Sequence, residues 1–164
     1  MKKRGQQLFG MSFSVIFGII LTVVLIGLAS YMIVKFLEYR TCADIGLFVQ
    51  DVDDEVKEAW NSQQKTGVFT STLPSKIEYV CFANLSAPMV GANTEEGKIF
   101  REIERYEVYK ASMFLYPPEK ACNIEYKKIE HIIFEKNPTC FPVVNGKVQI
   151  KIQKGFNDAL VKIG

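Results

Sequence analysis

Between Met11 and Val34 the chain runs for 24 residues without a charged side chain (MSFSVIFGIILTVVLIGLASYMIV). About 20 such residues, rising 1.5 Å each, cross a hydrocarbon core about 30 Å thick. Lipid offers no water to backbone N–H and C=O groups, so a lone spanning segment must pair them internally, as a helix. The run therefore divides the sequence into a basic tail or processing signal over 1–10, a transmembrane helix over 11–37 and an extracytoplasmic domain over 38–164. A cleaved secretory signal is the rival reading, with Gly27-Leu28-Ala29 as its cleavage candidate. Such signals carry a shorter apolar core, about 7–15 residues.

Lys2, Lys3 and Arg4 precede the run, and Lys35 and Arg40 follow it. Lys and Arg collect on the cytoplasmic side of a membrane, so the N-terminus is expected in the cytoplasm and residues from about Tyr39 onward outside the cell membrane. Tyr31, Phe36 and Tyr39 then fall near the outer interface, where amphipathic rings are favoured. The sequence holds 20 basic and 18 acidic residues. Setting aside the five flanking cations and Glu38 leaves 15 against 17. A domain that is slightly acidic offers no electrostatic footprint for nucleic acid. The expected partners are the lipid bilayer and a protein, or further copies through the transmembrane helix.

All four cysteines, Cys42, Cys81, Cys122 and Cys140, lie after the run. None forms a CxxC pair, so zinc and thioredoxin-like spacings are absent. An even count in an extracytoplasmic domain predicts two disulfides. Three connectivities are possible. Cys42–Cys81 and Cys122–Cys140 are preferred because each joins neighbouring elements. Four buried free thiols are the alternative.

Thr41 to Ser62 has the period of an amphipathic helix. Ile45, Phe48, Val49, Val52, Val56, Ala59 and Trp60 share one side, and Asp44, Asp51, Asp54, Glu55 and Glu58 the other. No proline occurs before Pro74, so one helix can run from the membrane to about Ser62. The Thr41–Asp44 capping-box spacing and Gly46 are the competing signals. Strands are expected over 68–72, 76–83, 112–116 and 128–134. A short helix is expected after Asn93, whose spacing to Glu96 resembles a capping box. Asn145-Gly146 between apolar runs predicts a type I′ hairpin, with Val148, Ile150 and Ile152 on its dry face. The fold class is α+β: the long helix packed on an antiparallel sheet of about four to six strands.

The chemistry-bearing motifs are few. His131 is the only histidine, expected on a strand with Glu130 turned to the other face. One histidine cannot build a HExxH site or a facial triad. The acids Asp51, Asp53, Asp54, Glu55 and Glu58 lack EF-hand spacing and read as a solvated helix face. No P-loop, GxGxxG or GxSxG motif is present. No cofactor, metal or catalytic residue is therefore expected, and the chain is read as not an enzyme. Asn84-Leu85-Ser86 is an N-glycosylation sequon on a predicted outer loop, whereas Asn137-Pro138-Thr139 is disqualified by its proline.

The opening Lys2-Lys3-Arg4-Gly5-Gln6, followed by an apolar helix, resembles the processing signal of type IV pilins, most closely the archaeal pilin and archaellin form. The resemblance implies a cut between Gly5 and Gln6 and a mature chain beginning Gln6-Gln7-Leu8-Phe9. It also implies a long helix, membrane-embedded and then amphipathic, leading to a β-rich head, with the apolar half forming a filament core. Pilins usually carry glutamate at the fifth mature position, where this chain has Gly10; archaellins can lack it. The overall style is also similar to uncharacterised single-pass archaeal surface proteins. The reading that covers both cases is a single-pass, membrane-anchored extracytoplasmic protein with a structural or partner-binding role. The alternative is a pilin-like subunit of a surface filament or secretion assembly.

Overall fold

The computed structural model describes residues 12–164. Lys2, Lys3, Arg4, the processing candidates Gly5 and Gln6, and Gly10 lie outside the described residues. The described chain forms two compact units that divide between Arg40 and Thr41. The helix α1 (Ser12–Asn61) is 50 residues long. It passes Thr41–Asp44 as regular helix, so the capping signal there is not used.

In the first unit, the large apolar side chains from Val15 to Leu37 keep 49–68% of their surface exposed. The segment is long and apolar enough to cross a membrane once, and the protein buries none of it. Its threonine and serine hydroxyls are satisfied within the helix. Thr22 Oγ1 donates to the Gly18 carbonyl at 2.8 Å and Ser30 Oγ to Ile26 at 2.9 Å. This i−4 bonding is how a hydroxyl avoids going unpaired in lipid.

The second unit carries the sheets. Its first sheet has the order β1 (Lys65–Thr72), β7 (Lys147–Lys154), β8 (Val161–Ile163), β5 (Ile132–Phe134). The second has the order β4 (Tyr126–Lys127), β3 (Met113–Tyr116), β2 (Tyr79–Phe82), β6 (Thr139–Pro142). All pairings are antiparallel except β5 with β8. The α+β class holds, but eight strands in two sheets replace the single sheet expected.

The main core joins one stripe of α1 to both sheets. Ile45, Phe48, Val49, Val52, Val56 and Ala59 are buried, at the i, i+3, i+4, i+7 spacing of a helix face. They meet Val148, Ile150 and Ile152 of β7, Val161 and Ile163 of β8, and Val80, Phe82, Met113 and Leu115 of the second sheet. Each fully buried side chain of this size contributes about 1.5–3 kcal/mol. Lys154 closes the end of α1: its Nζ donates to the Trp60 and Ser62 carbonyls at 2.5 and 2.7 Å, a cation at the negative helix end. A smaller core lies on the other face of the second sheet. There Cys81 and Phe114 meet Ile99, Phe100 and Ile103 of α2 (Glu95–Ile103).

Several local expectations shift. The α2 cap is Thr94, one residue after Asn93, and its hydroxyl accepts from the Gly97 N–H at 3.2 Å. Gly97 is required there, because a Cβ would come within 2.4 Å of the Gly91 carbonyl oxygen. The strand expected over 76–83 contracts to β2, and that over 128–134 to β5. His131 precedes β5 with φ +63°, a left-handed residue rather than a strand one. The Asn145-Gly146 turn has φ +52° and +70°, the type I′ signature, and Val144 and Lys147 exchange both backbone hydrogen bonds across it. Its arms enter different sheets: β6 joins the second and β7 the first.

Candidate functional site

The four cysteines form two disulfides, but not the preferred pairs. The bonds are Cys42–Cys122 and Cys81–Cys140. Cys81 stands directly opposite Cys140 because β6 is the neighbour of β2, which no local pattern in Thr139–Pro142 announces. Cys122 turns toward α1 on two consecutive left-handed residues, Cys122 at φ +58° and Asn123 at +62°. The bonds span 80 and 59 residues and interleave, so each constrains more chain than the preferred pairs would.

Asn84 is exposed at the end of β2. Its Oδ1 accepts from the Ser86 N–H at 3.1 Å, an Asx turn within the sequon. The neighbouring backbone is clasped by Asn137. Asn137 Oδ1 accepts from the Asn84 N–H at 2.9 Å, and its Nδ2 donates to the carbonyls of Asn84, Ala87 and Pro88 at 2.8, 3.1 and 3.2 Å. The asparagine disqualified as a sequon thus holds the loop that displays the qualifying one.

His131 stacks on Trp60, with ring centroids 3.7 Å apart and planes 6° from parallel. They are the chain's single histidine and single tryptophan. Trp60, 38% exposed, sits at the edge of the apolar stripe rather than within the core. The left-handed backbone at His131 turns its ring to α1; nothing in the local sequence signals so distant a partner. The pair lines a cleft of about 420 Å³ with Asp53, Lys57, Lys128 and Glu130. Lys57 bridges Asp53 at 2.8 Å, and Lys128 bridges Glu130 at 2.7 Å. The Lys128 hydrogen bond and charge hold the Glu130 carboxyl below its ordinary value, with smaller help from His131 and Lys57. On its other side His131 borders a second cleft of about 490 Å³ that includes Asn84, Ser86 and Ser112. The Ser112 hydroxyl donates to the Ile129 carbonyl at 2.8 Å and accepts from the Ile129 N–H at 2.9 Å, a strand-bridging role.

Asp53, Asp54, Glu55 and Glu58 of α1 meet cations rather than one another. Lys57 serves Asp53 and lies 3.8 Å from Asp54, and Lys65 bridges Glu55 and Glu58 at 2.7 and 3.1 Å. Burial pulls the Lys65 pKa down, but hydrogen bonds and charges from these two glutamates outweigh it and leave the ammonium above its ordinary value. Among the described residues no group of three His, Cys, Asp or Glu side chains is placed to hold a metal ion. No protein-family model matches the chain, and neither curated proteins nor solved structures give a match.

Proposed function

We propose that this is a single-pass membrane protein that displays a disulfide-bonded domain outside the cytoplasm, in a structural or partner-binding rather than catalytic role. One observation carries the reading. The Val15–Leu37 segment presents apolar side chains all round and is not buried by protein, while the rest of the chain buries its own core around two disulfides. A helix apolar on every side needs lipid or other helices around it. Disulfides persist in oxidising compartments, which supports the outward orientation, as does the Lys/Arg excess before Met11. Reducing intact cells and adding a membrane-impermeant thiol label tests this. Labelling of the reduced domain before lysis is expected; labelling only after lysis overturns the orientation.

The length and composition of α1 favour a second reading. An unbroken helix that is first apolar, then amphipathic, and leads into a β-rich domain matches the pilin plan. In that reading a prepilin-type peptidase removes Met1 to Gly5, and helix packing replaces lipid around the apolar half. An intact mass on membrane-purified protein separates the two: a mature chain starting at Gln6 favours the filament subunit, and one retaining Lys2 to Arg4 the permanent anchor.

A further inference from the structure

A sheet edge is a row of unpaired backbone groups, and proteins protect such edges by keeping them short, charged or interrupted by proline. Three of the four edges here follow that rule. β4 has two residues, β5 three, and β6 four, ending in Pro142. The fourth, β1, has eight residues and, after Lys65, neither a charge nor a proline. Lys65 is itself engaged by Glu55 and Glu58.

The register shows which groups face outward. Leu73 N–H donates to the Gly146 carbonyl at 2.9 Å, toward β7. Lys147, opposite Thr72, spends its N–H and C=O on Val144, away from β1. Backbone direction alternates along a strand, so Thr66, Val68, Thr70 and Thr72 turn their N–H and C=O groups away from β7. All four residues are exposed, and no hydrogen bond joins those groups to another described residue.

We infer that β1 is a self-pairing edge, and that its occupant is β1 of a second copy of this chain. An antiparallel pair about a twofold axis at Phe69 sets Thr66 opposite Thr72 and Val68 opposite Thr70. Every outward backbone group then finds a partner, and every residue in those pairs is β-branched, the class that suits cross-strand contact. The axis brings Phe69, which lies 6.3 Å from Phe48 between ring centroids, opposite its own copy. No two like charges meet at the seam. Lys151, opposite Val68 on β7, lines up with Gln149 of the second copy, and the two Lys151 residues lie more than three strand spacings apart, over about 14 Å and beyond the physiological Debye length of about 8 Å. The result is one continuous sheet running through two copies.

The test uses the full chain in detergent micelles, with protein mass per micelle measured by light scattering alongside hydrogen–deuterium exchange. Two copies per particle are expected, with exchange over 66–72 slowing at least tenfold as concentration carries the protein from one copy to two. Val68→Pro removes an outward N–H without touching the β7 ladder, and Thr70→Lys places a charge at the seam. Either is expected to halve the mass. Thr70→Lys covers the case in which the proline variant does not fold. A wild type that stays a single copy at 100 μM, or a dimer that both variants leave intact, overturns the inference. So does a single-copy protein whose 66–72 amides are protected only by an added foreign strand peptide.

Discussion

The two halves of α1 have the same backbone and opposite surroundings. From Val15 to Val34 the helix is apolar on every side and exposed on every side. From Thr41 to Asn61 a single stripe is buried, and Asp53, Asp54, Glu55 and Glu58 outside it are met by Lys57 and Lys65. Hydrogen bonding within the helix is the same in both, so it does not separate them. What differs is the solvent each half is written for: lipid or neighbouring helices for the first, this chain's own sheets for the second. Side chains of similar size therefore carry different energies. Loss of a methylene at Phe48 leaves a cavity in the core, whereas Ile26, 61% exposed, has no protein packed around it to leave one.

The largest contrast expected from this difference is at Cys42, where the buried half begins. Replacing Cys42 and Cys122 together with alanine frees an 80-residue loop and should cost the domain about 4–5 kcal/mol on the chain-entropy account. Thermal unfolding followed by Trp60 fluorescence measures it; an unchanged melting temperature would show that this bond does not constrain the unfolded chain. Next comes the core itself. Phe48→Ala should cost about 3–5 kcal/mol, and Ile26→Ala should leave the same transition unmoved. Equal losses at the two positions would break the comparison.

A smaller effect sharpens it. Gly46 lies in the buried half, where an added Cβ would meet Ile124 Cδ1 at 3.6 Å, an ordinary contact. Gly46→Ala should therefore stabilise the domain by up to about 1 kcal/mol through helix propensity. Gly27→Ala, with nothing within 4 Å of its added Cβ, should not change the domain's melting. The smallest effect is electrostatic and is read in the second unit. Lys128 and Lys162 hold the exposed Glu130 and Glu135 below the ordinary carboxylate value. Depressed carboxylates favour the fold above their unfolded pKa, and that support fades as pH falls through the folded value. Lys128→Met and Lys162→Met should lower the neutral plateau slightly, leave stability at acid pH unchanged and so flatten the acid limb of stability against pH.

What the sequence discloses follows the same division between one solvent and two. The apolar run, the stripe from Ile45 to Ala59 and the Val148–Ile152 alternation are legible because each has one dry side. The second sheet is legible only as separate strands, expected over 76–83 and 112–116: β2 and β3 (YVCF and MFLY) are buried on both faces and lose the alternation that marks a side. Its membership, and with it the Cys81–Cys140 bond, depends on a pairing between β2 and β6 across more than fifty residues. The His131–Trp60 stack was hidden for a related reason. It depends on a left-handed backbone at a histidine, which propensity does not anticipate. At Asn137 the sequon rule is silent about the clasp that the side chain provides.

The central claim is that one helix serves two solvents, and a nitroxide scan of α1 in bilayers measures this most directly. Single labels placed from Val15 to Val34 and from Asp44 to Asn61, with both disulfides kept oxidised, report collision with oxygen in lipid and with a water-soluble relaxant. The account predicts high oxygen access at every central position of the first stretch, without periodicity. In the second stretch it predicts water access rising and falling every 3.6 residues, with minima at Ile45, Phe48, Val52 and Val56. A water-exposed stripe along Val15–Val34 would contradict it.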